Sequence, residues 1–395
     1  QIGILSVSLN GLFTEVIAIL SLAEMGVGSA IVYSLYKPLA ERDEKKIVKL
    51  MNMYKTAYRN IALAVFGIGL CLVPFIQNIV TKVDVSDGYI RLVFVLFLTQ
   101  TASSYLFSYK SSLLNADQKV YIVSKVTTIV KIVAEIINII LLFVFHNYIL
   151  YLIVEILLTL ATNIVISGQV DKMYPFLIRK DELLNVEKRM VFKNVKNIFI
   201  GSLSGKITNS TDNILISILV STYEVGIYTG YSTLAMGLRK LIDQVDAATA
   251  GSVGNLMAED DRDKCDQVLR KLTFINYFFG SLFASCLYCL SSTLVRIMYG
   301  LEYTYNADSM IGLMVVFCLC VNFFLTVLRN PLWRFMSVSG LFAKDKNISI
   351  AGSVVNLILS IILGIKFGTL GILLGTLASL VIQIILKIRL LYTER

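Results

Sequence analysis

The sequence predicts an all-α, polytopic membrane protein made of two six-helix bundles related by a pseudo-two-fold along the membrane normal. Three observations carry that reading. First, 56% of the 395 residues are hydrophobic and only 16% charged, against about 25% charged in soluble domains. The mean hydropathy is +0.74. Second, apolar runs of about 20 residues, enough for a helix to cross a bilayer, recur along the whole chain. Third, an N-terminal block returns in the second half. Gly226-Ile-Tyr-Thr229 echoes Gly11-Leu-Phe-Thr14, and Leu256-Met-Ala-Glu259 echoes Pro38-Leu-Ala-Glu41. Cys265, Val268, Leu269 and Leu272 then fall where Ile47, Leu50, Met51 and Tyr54 stood. Two matches in the same order indicate an internal repeat.

In chain order the runs lie near 10–36, 56–79, 89–112, 120–145, 148–168, 197–220, 226–254, 268–293, 307–333, 347–366 and 370–390. The first run meets Lys37–Pro38 and gives way to a charged amphipathic stretch before the second begins. Lysines and arginines crowd alternate connectors, among them Arg42 to Lys55, Lys172 to Lys193 and Arg262 to Lys271. The positive-inside rule makes these connectors cytoplasmic. A full span precedes Gly226 but only ten residues precede Gly11, and the chain starts at Gln1. The repeat therefore predicts one further N-terminal helix, giving the intact protein about 12 spans and cytoplasmic termini. The expected organisation is an N-terminal bundle over 1–168, a cytoplasmic connector over 169–196 and a C-terminal bundle over 197–395. Within the connector, Asp181 is an N-cap candidate. Leu183, Leu184, Val186, Met190 and Val191 give an apolar side suited to the membrane surface.

The +9 formal charge sits in connectors rather than in basic–aromatic patches, so nucleic acid is not an expected partner. Serine–histidine and cysteine–histidine sets are missing, as is a phosphate-cradling glycine-rich loop, and His146 is the only histidine. No enzyme activity, metal site or cofactor is predicted. Cys286-x-x-Cys289 has no second pair and reads as small buried residues.

Charges inside apolar runs are the informative residues, because each costs roughly 2.5–3.5 kcal/mol at the bilayer centre. Glu15 and Glu24 lie in the first run, Lys131 and Glu135 in the fourth, and Glu155 in the fifth. Lys206 and Asp212 lie in the sixth, and Arg239, Lys240, Asp243 and Asp246 in the seventh. Lys131 and Glu135, four apart, suit a self-neutralising pair. Arg59, Arg329 and Arg334 lie near cytoplasmic ends, where snorkelling and function are both open. Lys206, Asp212, Arg239 and Lys240 are deep and lie in consecutive runs. They suit a water-filled cavity between the bundles, or salt bridges within the second.

The block Leu22-Ala-Glu-Met-Gly-Val-Gly-Ser-Ala30 with Leu35-Tyr-Lys-Pro38 resembles the opening of Wzx-like oligosaccharide-lipid flippases. These belong to the multidrug/oligosaccharidyl-lipid/polysaccharide (MOP) exporter superfamily. Thr211-Asp-Asn-Ile-Leu-Ile-Ser217, Val225-Gly-Ile-Tyr-Thr-Gly-Tyr231 and Gly254-Asn-Leu-Met-Ala258 resemble that family's second half. The resemblance implies a bacterial inner-membrane carrier moving undecaprenyl-diphosphate-linked glycans to the outer leaflet by alternating access. Its implied setting is capsule, O-antigen or exopolysaccharide synthesis, with a polysaccharide polymerase and chain-length proteins as neighbours. On this reading Arg239, Lys240, Lys206 and Arg59 are candidates for the diphosphate. Glu24, Asp212 and Asp243 are candidate coupling or cavity carboxylates. A Na⁺- or H⁺-coupled multidrug exporter of the same superfamily, or a non-transporting scaffold for polysaccharide assembly, are the alternatives.

Overall fold

The computed structural model describes residues 3–21, 27–83, 85–178, 211–258, 262–300, 303–305, 309–338 and 342–393. Glu24, Lys206 and the amphipathic stretch at 181–191 lie outside them. Among the described residues the regular structure is helical. The α-helices are α1 (Ile4–Leu20), α2 (Val27–Ala40), α3 (Glu44–Leu72), α4 (Asp87–Ala116), α5 (Val120–Phe145) and α6 (Tyr148–Met173). They continue with α7 (Asp212–Leu219), α8 (Thr222–Ala258), α9 (Arg262–Tyr299), α10 (Met310–Val338), α11 (Phe342–Phe367) and α12 (Thr369–Thr393). Eight of the described helical stretches are long and apolar enough to cross a membrane. The protein is a multi-pass membrane protein. The long helix α8 falls outside that set because Arg239, Lys240, Asp243 and Asp246 interrupt its apolar run.

The charged stretch after Pro38 is not a separate element, as the sequence suggested. Asp43 caps it, accepting from the Lys46 amide at 3.0 Å, and α3 then runs unbroken to Leu72. No proline interrupts it before Pro74. Ile47, Leu50, Met51 and Tyr54 share its buried face. In α9 the equivalent residues Cys265, Leu269 and Leu272 are buried against Leu332, Phe335, Met336, Ile384 and Leu391. One amphipathic pattern thus docks the N-terminal part of a long helix in both halves.

The chain divides into two compact units. The first comprises Phe13–Ile79 and Asp84–Lys206; the second comprises Ile4–Leu12, Val80–Val83 and Ile207–Arg395. In the first, Phe13 is fully buried edge-on against Phe94 and Phe97. Polar side chains tie its helices together. Tyr54 donates to Ser34 at 3.0 Å, and the Lys110 ammonium meets Ser167 and both Asp171 oxygens at 2.6–2.7 Å. Such bonds matter here because lipid tails are as apolar as leucine, leaving close packing and hydrogen bonds to hold helices together.

In the second unit, the glycines of the echoed tetrapeptides meet at one helix crossing. A Cβ on Gly11 would lie 2.3 Å from Thr229 Oγ1, and one on Gly226 would lie 2.3 Å from Ser8 Oγ and 3.0 Å from the Ile4 carbonyl. Only glycine permits that approach. The Thr81 amide donates to Thr222 Oγ1 at 2.8 Å, anchoring the 80–83 segment at the start of α8.

Candidate functional site

Three polar levels are stacked through the second unit, and hydrogen bonds fix their order. At the first, Thr369 opens α12 and donates to Glu224 in the first turn of α8 at 3.2 Å. The Tyr305 amide donates to Tyr231 at 3.1 Å. The helices α8 and α12 therefore start at the same end.

The second level lies four residues further along α8 and seven further along α12, roughly 6–10 Å at 1.5 Å per residue. Asp212, at the start of α7, accepts from Thr376 at 3.3 Å and from Tyr228 at 3.4 Å. Asn356 donates to the same Thr376 hydroxyl at 3.0 Å. These are long contacts around a carboxylate, supplied among the described residues by neutral groups. Their oxygens are suited to share a proton or a small hard cation.

The third level is the most heavily charged. Arg239 lies 17 residues into α8, roughly 25 Å from its start. Its Nε is buried without a hydrogen-bond partner, and the nearest carboxylate oxygen, on Asp243, is 3.7 Å away. An Arg-before-Asp order is the weaker orientation for a helix-face pair. Asp243 is instead held by Asn330, whose amide donates to it at 3.0 Å and to Asp246 at 2.9 Å. Asn276 on α9 donates to the other Asp246 oxygen at 3.0 Å. Asp246 is buried, and the amides solvate it in place of water.

Arg329 on α10 donates to Gln383 on α12 at 2.8 Å. Gln383 is 1% exposed and packed against Gly352, where a Cβ would lie 2.4 Å from Nε2. The sequence left Arg329 free to snorkel to the surface, but Gln383 holds its guanidinium inward. Nearby, Lys387 and Asp345 form a buried ion pair.

The structure thus brings Arg239 and Asp243 together and sets Asp212 two turns or more away, at its own level. Lys240 and Arg59 are exposed. Lys131 and Glu135 form no ion pair and both face outward, again with the weaker Lys-before-Glu order. Glu155 instead accepts from Asn138 at 2.6 Å. Asn276, Asn330, Gln383, Tyr228 and Thr376 were missed because neutral polar residues carry no charge signal in hydropathy. Their presence inside apolar runs was the available clue.

No protein-family model matches the sequence, and a search of curated proteins finds no match. Solved structures do resemble the fold. A multidrug resistance MATE family transporter of the MOP superfamily superposes with TM-score 0.73 at 15% identity, covering 99% of this chain and 91% of the other. The lipid II flippase MurJ gives TM-score 0.72 at 17% identity, covering 98% and 81%. A MOP superfamily transporter from Pyrococcus furiosus, whose binding pocket is described as having reverse polarity, gives 0.60 at 14%, covering 98% and 88%. At these identities the likeness shows the fold, which is that of MOP superfamily transporters.

Proposed function

We propose that the protein is a bacterial inner-membrane flippase for a lipid-linked glycan diphosphate, working by alternating access. The observation that carries this reading is Arg239. It is a guanidinium about midway along α8, its Nε unsatisfied and its carboxylate neighbour 3.7 Å off and already hydrogen-bonded elsewhere. Arginine's planar fork matches phosphate oxygens, and such charge-assisted bonds are the strong ones. The polyprenyl tail stays in the bilayer while the head group crosses. Asp212, which accepts from two hydroxyls, is the coupling carboxylate on this account; Glu24 remains a second carboxylate candidate, and Lys206 a candidate for the diphosphate. Polymerisation by a polymerase with chain-length proteins would follow in the outer leaflet. The similar fold of a lipid II flippase supports the reading.

Cation-coupled multidrug export is the second reading, supported by the MATE-like fold and by Asp212. The two readings divide on charge, because a cationic drug is repelled at Arg239 and a diphosphate attracted. Binding of a polyprenyl-diphosphate sugar and of a cationic drug to the purified full chain separates them. The glycan lipid is expected to bind, and Arg239→Lys to weaken it about tenfold while Arg239→Gln weakens it further. Drug binding that ignores both substitutions, with no glycan-lipid binding, removes the flippase reading.

A further inference from the structure

We propose that Asn330 is a positioning residue that keeps the Arg239 guanidinium open to substrate by holding Asp243 off it. This role deepens the flippase reading and rests on it, since Arg239 is taken as the group that meets the diphosphate. It adds a residue on another helix that decides how strongly Arg239 is contested from within the protein.

Arg239 and Asp243 lie four positions apart on α8, a spacing at which opposite charges meet on one helix face. A closed contact between a guanidinium and a carboxylate is about 2.7–2.9 Å, yet Arg239 Nε lies 3.7 Å from Asp243 Oδ2. That Nε is buried and has no hydrogen-bond partner. The other Asp243 oxygen explains the gap, because Oδ1 accepts from the Asn330 amide of α10 at 3.0 Å.

The amide cannot follow Asp243 towards Arg239. The same Nδ2 donates to Asp246 Oδ2 at 2.9 Å. Asp246 is buried, and its other oxygen accepts from Asn276 of α9 at 3.0 Å. Asn276 is 1% exposed and also donates to the Leu272 carbonyl at 3.1 Å. Three helices thus fix one amide nitrogen, and that nitrogen places Asp243.

To close on Arg239, Asp243 gives up a hydrogen bond from a fixed donor. The Arg239 and Asp243 side chains are 34% and 47% exposed, so an ion pair between them gains little against solvent. A hydrogen bond to a charged acceptor is worth more. The balance favours the open arrangement. Without Asn330 it shifts the other way, and Asp243 becomes an intramolecular competitor for the guanidinium.

The test measures binding of a polyprenyl-diphosphate sugar to the full chain in nanodiscs. Wild type is compared with Asn330→Leu, Asp243→Asn, the double variant and Arg239→Gln. Asn330→Leu is expected to weaken binding about tenfold. Adding Asp243→Asn is expected to restore it to within about threefold of wild type, because the competitor is gone although the Asn330 amide is still missing. A merely structural role for Asn330 gives no such rescue. Asp243→Asn alone is expected to bind at least as tightly as wild type. Wild-type binding in Asn330→Leu, or a double variant as weak as Asn330→Leu, overturns the role of Asn330 while Arg239 and the flippase reading stand. Where Asn330→Leu fails to fold, Asp243→Asn decides alone, and binding weaker than wild type overturns the role. Arg239→Gln that binds like wild type removes Arg239 from the site, and with it both the role of Asn330 and its premise.

Discussion

Lys387 is only 1% exposed, and its ammonium is paired with Asp345 and lies 3.5 Å from Ser349 Oγ. A buried pair contributes little net stability, but removing one partner strands the other charge in a low-dielectric interior. Asp345→Asn is therefore expected to destabilise the protein by about 3–5 kcal/mol, and adding Lys387→Met to recover most of that loss. Thermal unfolding in detergent measures both. A single variant that melts like wild type would show the pair to be dispensable. At this scale the sequence was informative about which residues matter and poor about their partners. Arg239 stood out because a charge within an apolar run is costly. Its link through Asp243 to Asn330 spans more than 80 residues and depends on how helices pack. Lys387 looked like an ordinary cytoplasmic tail charge, because nothing local marks a buried partner 42 positions away.

Helix ends and helix crossings supply the next tests. The close approach of Gly226 to Ser8 and Ile4 leaves no room for a side chain, so Gly226→Val is expected to cost about 1–3 kcal/mol through overpacking. Reduced melting temperature with unchanged membrane insertion is the signature, and a wild-type melting curve would mean the crossing opens freely. In the first unit, the turn between α4 and α5 is locked to the end of α6. Asp117 accepts from Tyr174 at 2.5 Å and pairs with Lys119 at 2.5 Å. Partial burial pushes the Asp117 carboxyl up, but the hydrogen bonds from Lys119 and Tyr174 outweigh it and hold it below its ordinary value. Its stabilisation is thus present above the ordinary carboxylate pKa of about 3.9 and lost as pH falls through the lowered value. Burial and the hydrogen bond to Asp117 push Tyr174 up to about 12. That contribution is complete below the ordinary tyrosine pKa of about 10 and fades as pH rises towards 12. Melting temperature should therefore hold from about pH 5 to 9 and fall on both sides, with Asp117→Asn flattening the acid limb. An acid limb unchanged by Asp117→Asn would assign it to other carboxylates. The spans themselves were legible from length and apolarity alone. The fusion of the charged stretch with the next span was not, since amphipathic and apolar patterns share one helical backbone and only the cap at Asp43 marks the true start.

For the whole molecule, composition, alternating charge and the echoed blocks were enough to point to an all-helical multi-pass transporter fold, and solved MOP superfamily transporters share it. Substrate class is less legible, because carriers of one fold differ in the few side chains that line the path. Here the distinction turns on the sign of charge at the third polar level. On the proposed reading, anionic cargo is bound at Arg239 and cationic cargo repelled there. The decisive measurement is transbilayer movement in proteoliposomes containing the full chain. A lipid-linked oligosaccharide diphosphate, the same glycolipid without its diphosphate, and a cationic drug are followed side by side. The account predicts movement of the diphosphate form alone, faster than in protein-free liposomes and slowed by Arg239→Gln. Movement of the cationic drug, with the diphosphate form left in its starting leaflet, would contradict it.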